Sequence, residues 1–251
     1  MTTPYIHTEN VHNTKAAREM LPAVLAAYPA NSVVDFGTGL GTWLQVAKEL
    51  GVEEVLGIDG DWVRPEQLAI PVEQFLAKSL HEEIRLGRRF DMAICLEVAE
   101  HLRPDAAELL VENIVHHSDV VLWSAAIEDQ GGQNHINERN PDHWAGLFRA
   151  HGYVAVDAFR ELFWQNENID WWYRQNTILY VKNPAEAAAQ AEAPPSPNLL
   201  IHPALFAYKM TYIQVQNKKL ADIFKGRRSV GFYFRMLLKS MKNRVMDALR
   251  R

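Results

Sequence analysis

The chain has 251 residues, 48% of them hydrophobic, with 26 basic against 31 acidic side chains and a net charge of −5. That length and apolar share provide a buried core for one large domain plus an appendage, and exclude a disordered or collagen-like chain. The single cysteine, Cys95, excludes a disulfide framework; with no signal-like segment and no apolar run long enough to span a bilayer, the expectation is a cytoplasmic protein.

After a polar start, Thr14 to Tyr28 reads as a helix with Ala16, Ala17, Met20, Leu21, Val24 and Leu25 on one face. Asn13 or Thr14 is its candidate N-cap, and the helix is expected to lie against the next domain as a candidate lid. A strand over Ser32–Phe36 then runs into Gly37-Thr38-Gly39-Leu40-Gly41, where glycines let the backbone approach a ligand closely. A dinucleotide fingerprint would need its third glycine at Thr42, so this loop points to a different nucleoside cofactor. The next strand, Glu54–Ile58, leads to Asp59, an acid placed about 20 residues on to meet a ribose diol. Strands are expected at Val72–Leu76, Phe90–Leu96, Val120–Ser124, Gly152–Phe159 and Thr177–Lys182, with helices between most of them. Cys95 falls in a central strand as a small core side chain. The alternation gives an α/β fold, a Rossmann-like and mainly parallel sheet with helices on both faces.

Val33-Val34-Asp35-Phe36-Gly37-Thr38-Gly39-Leu40-Gly41, Asp59 and Phe90–Glu97 together resemble the class I S-adenosylmethionine (SAM)-dependent methyltransferases over residues 10 to 182. The resemblance implies seven strands, the last pair antiparallel, and a SAM site built from Asp35, Gly37, Thr38, Gly39, Gly41, Asp59, Gly60 and Leu96. Asp35 would help to hold the glycine loop and the cofactor's amino-acid portion, and Trp62 with Val63 would wall the adenine. Ser79-Leu80 stands where the family often has an acid or amide for the adenine amino group, so serine is a departure.

Glu97-Val98-Ala99-Glu100-His101 follows the fourth strand. On a helix, positions i, i+3 and i+4 share a face, which would turn Glu97, Glu100 and His101 together toward the cofactor site. Two carboxylates and an imidazole suit a divalent ion such as Mg. Acids early in a helix also favour its dipole, and a histidine can simply bond to them. The spacing resembles the metal motif of small-RNA 2′-O-methyltransferases and of the O-methyltransferase of ubiquinone biosynthesis. In the RNA enzymes a later histidine completes the site, a part that His135 in Gly131-Gly132-Gln133-Asn134-His135-Ile136-Asn137-Glu138 is placed to take. His135 or His101 is the candidate proton acceptor if it is not a ligand, whereas His116 and His117 read as surface residues.

Asp170-Trp171-Trp172-Tyr173-Arg174-Gln175-Asn176 and Phe163-Trp164-Gln165-Asn166 bring flat apolar faces beside amides, which suits a carbohydrate ring; the alternative is that these aromatics close the core or form a dimer contact, as at least one tryptophan is expected to do. Combined with E-V-A-E-H and G-G-Q-N-H-I-N-E, they resemble a bacterial methyltransferase subgroup of surface-polysaccharide assembly, which implies O-methylation of a sugar in a glycan or on an activated or lipid-linked precursor. A catechol or other small hydroxyl is the alternative acceptor, and a non-catalytic SAM-binding assembly or regulatory protein the alternative class.

The domains read as 1–183 for the methyltransferase, 184–199 for a Pro/Ala-rich linker and 200–251 for a basic amphipathic tail. Helices are expected over Leu205–Phe224 and Val230–Leu249. Residues 1–199 hold 14 Lys+Arg against 29 Asp+Glu, whereas residues 200–251 hold 12 against 2. The tail is thus a separate electrostatic object. The acidic body argues against nucleic acid, and the apolar stripe among the tail's charges points to a membrane surface at the inner face, a partner protein, its own domain or a homo-oligomer.

Overall fold

The computed structural model describes residues 13–183 and 197–249. The polar start and most of the 184–199 linker lie outside the described residues. The chain divides into two compact units, Met1–His202 and Pro203–Arg251.

The first unit runs α1 Lys15–Ala27, β1 Ser32–Phe36, α2 Thr42–Glu49, β2 Glu54–Asp59, β3 Phe75–Ala77, β4 Met92–Leu96, α3 Pro104–His117, β5 Val120–Ser124, α4 Pro141–Ala150, β6 Tyr153–Val156, α5 Phe159–Phe163, α6 Trp171–Asn176 and β7 Ile178–Lys182. The seven strands form one sheet in the order β3-β2-β1-β4-β5-β7-β6. β1 to β5 are parallel, and β7 is antiparallel to both β5 and β6. β1 and β4 are buried at every position, as befits strands covered on both faces. One apolar layer packs α3 and α4 through Leu110, Ile114, Trp144 and Phe148; the other packs α1 and α2 through Met20, Leu21, Val24 and Leu44. α1 is therefore a core element. Its first turn is capped by the Asn13 carboxamide, which accepts the Lys15 N–H at 2.9 Å.

The expected third strand is shorter than its apolar pattern suggests. Val72–Gln74 forms a 3-10 turn after Pro71, and only Phe75–Ala77 pairs with β2. Phe90 makes an isolated bridge to Ser118 rather than starting β4. The Arg160 side chain, 1% exposed, is bonded to Asp157 and reaches the carbonyls of Gln175 and Asn198 at 3.4 and 2.9 Å.

The second unit contains α7 Pro203–Phe224 and α8 Val230–Leu249. Between them Tyr233 donates to the carbonyls of Asp222 and Ile223 at 3.3 and 2.6 Å, closing the turn. No helix among the described residues is long and apolar enough to cross a membrane.

His117 corrects the expectation of a surface residue: it is fully buried against Phe36. The Leu86 N–H donates to its Nε2 at 3.1 Å, which leaves Nδ1 as the protonated nitrogen facing the Asn113 carbonyl at 2.6 Å. Burial and the neighbouring cations hold its pKa below the usual 6.5, because a proton on Nε2 would meet the Leu86 N–H. His117→Ala should lower the unfolding free energy by about 2 kcal/mol at neutral pH. The unfolded state binds the extra proton, so His117's contribution is present above about 6.5 and is lost as the pH falls. Urea titrations of both proteins across this range should show the difference shrinking toward acid.

Candidate functional site

The carboxyl ends of β1, β2 and β4 meet beside the point where the strand order reverses, the position at which open parallel sheets leave a crevice. At the end of β1 the chain turns sharply, and the N–H groups of Gly37 and Thr38 both reach the Ile58 carbonyl, at 2.8 and 3.2 Å. Gly37 has φ 84°, and a Cβ there would lie 2.4 Å from Val98 Cγ2, so both conformation and space demand glycine. The Asp59 carboxylate crosses from β2 to this loop, accepting the Gly39 N–H on Oδ2 at 2.8 Å and the Gly60 N–H on Oδ1 at 2.7 Å. It thus braces the loop as well as standing where a ribose diol is expected. The Trp62 indole folds over Gly60, where a Cβ would come within 2.1 Å of the ring, yet 55% of Trp62 is exposed. One indole face is therefore available beside the crevice.

Asp35 is buried, and desolvation raises its pKa to about 7 against the nearby Thr38 hydroxyl, with the Asp59 charge adding to the rise. The Ser79 hydroxyl accepts the His81 N–H at 3.3 Å, while Leu80 joins the core under α3 and Leu96 closes the other layer.

The E-V-A-E-H segment differs from the expected helix. Glu97 adopts φ 56°, and only Ala99–His101 coils, as a 3-10 turn. A non-glycine residue in this left-handed region costs on the order of 1–3 kcal/mol and is held by its surroundings. Those surroundings are amides: Glu97 accepts the Asn176 carboxamide at 3.1 Å, and Gln130 lies 3.5 Å from its other oxygen. Asn176 and Gln175 each donate to Gln130 Oε1, at 3.0 and 3.1 Å. The Gln-Asn pair of α6, expected to face an acceptor, thus sits behind Glu97. Gln175 also accepts the His202 N–H at 2.8 Å, and the His202 ring rests against Trp164. Tyr173 of the same helix is buried edge-on against Trp43, while Trp171 and Trp172 are half-buried.

Glu100, by contrast, is fully buried, and neither of its carboxylate oxygens has a hydrogen-bond partner of sound geometry. One ligand atom from each of Glu100, His101 and His135 lies within 4.8 Å of the others. Burial and the Glu97 carboxylate push the Glu100 pKa up, and burial with the nearby His135 lowers that of His101 to about 4. The loop carrying His135 is fastened over the turn by the N–H groups of Ile136 and Asn137, which both reach the Glu100 carbonyl. Glu138 holds His135 Nδ1 at 2.7 Å and the Gly131 N–H at 2.5 Å. Gly132 makes room for the ring: a Cβ there would lie 2.2 Å from His135 Nε2. Glu138, Gln130 and Gly132 were not singled out from sequence; the three-residue spacing of His135 and Glu138 was the available signal.

An occupant that carries an ammonium and a sulfonium, as SAM does, would favour ionised Asp35. SAM affinity should rise by up to about tenfold per pH unit below 7 and level off above it. Calorimetric titration at several pH values should show this slope in the parent protein and its loss in Asp35→Asn.

Solved structures with a similar fold include several methyltransferases. Magnesium protoporphyrin IX methyltransferase (ChlM) from Synechocystis PCC 6803 with bound SAM gives a TM-score of 0.50 at 16% identity, covering 67% of this chain and 79% of that one. The methyltransferase domain of a bacterial protein, CtHen1-C, gives 0.50 at 18%, covering 67% and 98%. The small RNA methyltransferase HEN1 gives 0.52 at 15%, covering 72% of this chain but only 27% of that one. At these identities the likeness concerns the fold. No curated protein matches the chain. Residues 9–158 match the family model described as a methyltransferase domain, and the chain belongs to that family as a SAM-dependent methyltransferase.

Proposed function

We propose that the protein transfers the SAM methyl group to a hydroxyl, with a divalent cation held by Glu100, His101 and His135, and that the acceptor is a saccharide. The observation that carries the metal reading is the buried Glu100 carboxyl, whose oxygens make no hydrogen bond of sound geometry, beside two imidazoles, an environment that an anion tolerates poorly without a cation. A carboxylate and two imidazoles are a donor set that suits borderline divalent ions, the carboxylate being the one hard ligand. Such an ion supplies Lewis acidity, lowering the pKa of a hydroxyl near neutral pH.

The chain's own residues do the rest. The glycine loop and Asp59 fix the cofactor, and the amides behind Glu97 keep the β4 turn in its left-handed conformation. Glu138 sets the tautomer and angle of His135, as an orienting carboxylate does for a ligand imidazole. The acceptor oxygen attacks the sulfonium methyl in line, its proton leaves to solvent or a neighbouring base, and S-adenosylhomocysteine departs. The half-buried Trp171 and Trp172 offer flat faces that suit a sugar ring.

A metal-free reading has one observation in its favour. His135 with Nδ1 on Glu138 is also the arrangement of an oriented general base. The two readings separate on Glu100, which the base reading does not need.

Transfer of labelled methyl from SAM into glycan and small-molecule hydroxyl acceptors should fall by about a hundredfold or more with chelator and return on Mg or Mn addition. Glu100→Gln should cause a comparable loss with SAM affinity retained; full activity in Glu100→Gln under chelator would move catalysis to His135 as a base. Gly132→Ala, which drives a methyl into the His135 ring, should lower kcat by about a hundredfold while SAM affinity measured by calorimetry stays within about twofold.

A further inference from the structure

The second unit exposes what folded proteins ordinarily bury. Phe224 and Val230, on either side of the turn between α7 and α8, are 87% and 86% exposed, and the residues between them include Lys225, Arg227 and Arg228. Along α8, Phe234, Leu237, Leu238 and Met241 are each at least half exposed. At 100° per residue these four and Val230 fall within one sector of the helix, about 100° wide. Arg235, Lys239 and Lys242 border that sector on one side and Arg244 on the other.

Three occupants compete for such a stripe. A second α8 is disfavoured by charge, because residues 230–244 contain no acid and pairing would bring their four basic groups together. The acidic body of another copy answers the charge but offers no account of the aromatic and aliphatic stripe. An anionic lipid surface answers both: apolar side chains enter the acyl boundary while lysine and arginine on the flanks meet phosphates at headgroup level. α8 carries too many charges to cross the bilayer and, at 20 residues, about 30 Å of helix to lie along it.

We infer that α8, with the Phe224–Val230 turn, docks in the plane of an anionic phospholipid membrane. The inference does not depend on the metal or on the acceptor. It concerns a reversible surface contact, since about four basic groups and five apolar side chains on one helix make a peripheral anchor.

Flotation of the full chain with vesicles of phosphatidylcholine alone, and of phosphatidylcholine mixed with phosphatidylglycerol, tests it. Binding is expected to the mixed vesicles, to weaken with added salt, and to be marginal on the neutral ones. Arg235→Gln, Lys239→Gln and Lys242→Gln together should weaken binding by about a hundredfold, since each basic group near such a surface is worth roughly fivefold. Phe234→Ser with Leu237→Ser should also release the protein. Calorimetric SAM binding, expected unchanged in both variants, shows that the first unit remains folded, and circular dichroism checks that α8 remains helical. Equal binding to both vesicle types, or none to either, overturns the inference. So does a concentration-dependent oligomer that the Phe234→Ser, Leu237→Ser variant abolishes while vesicle binding is absent, which would assign the stripe to a second copy.

Discussion

Buried and part-buried carboxyl groups govern this site. Asp35, Asp59, Glu97 and Glu100 stand at or just beyond the ends of three adjacent parallel strands, where the sheet topology opens a crevice, and desolvation opposes the charge of Asp35, Glu97 and Glu100. Each is managed differently. Asp59 spends both oxygens on backbone N–H groups, Glu97 is met by side-chain amides, and Asp35 sits near its own titration point. Glu100 has nothing comparable. A crevice lined this way selects cationic occupants, and the family's cofactor, with its sulfonium and ammonium, is one.

The amide layer shows why a parallel sheet core is insufficient to define the site. Strands β4 and β5 deliver Glu97 and Ser124 to the crevice, and the Glu97 N–H is fixed to the Ser124 carbonyl at 2.9 Å. The conformation of Glu97 is then stabilised by Gln130 from the loop after β5 and by Asn176 from α6, elements that follow it by 33 and 79 residues. Local propensity alone would not choose a left-handed glutamate; tertiary contacts override it.

Legibility from sequence followed this division. β1, β5 and the glycine loop could be placed from apolar runs and glycine spacing, and Asp59 from its distance to them, because these features are local. The β4 turn could not: E-V-A-E-H has helical spacing, whereas the left-handed φ of Glu97 interrupts it and leaves a short 3-10 turn. His117 was misread because its polarity is satisfied by groups from α3 and from the segment before β4, a partnership with no short-range signature. Likewise the Gln-Asn pair of α6 has no mark in sequence to show that it would face Glu97 rather than solvent.

The last residues of the first unit are tied to the amides behind Glu97. Asn198 is gripped through its carbonyl by Arg160, and His202 gives its N–H to Gln175, which itself donates to the Gln130 oxygen also held by Asn176. The chain is therefore moored before it leaves for α7, and the mooring shares amides with the support of Glu97. The segment that precedes the second unit and the seat of a site carboxylate thus draw on one set of amides.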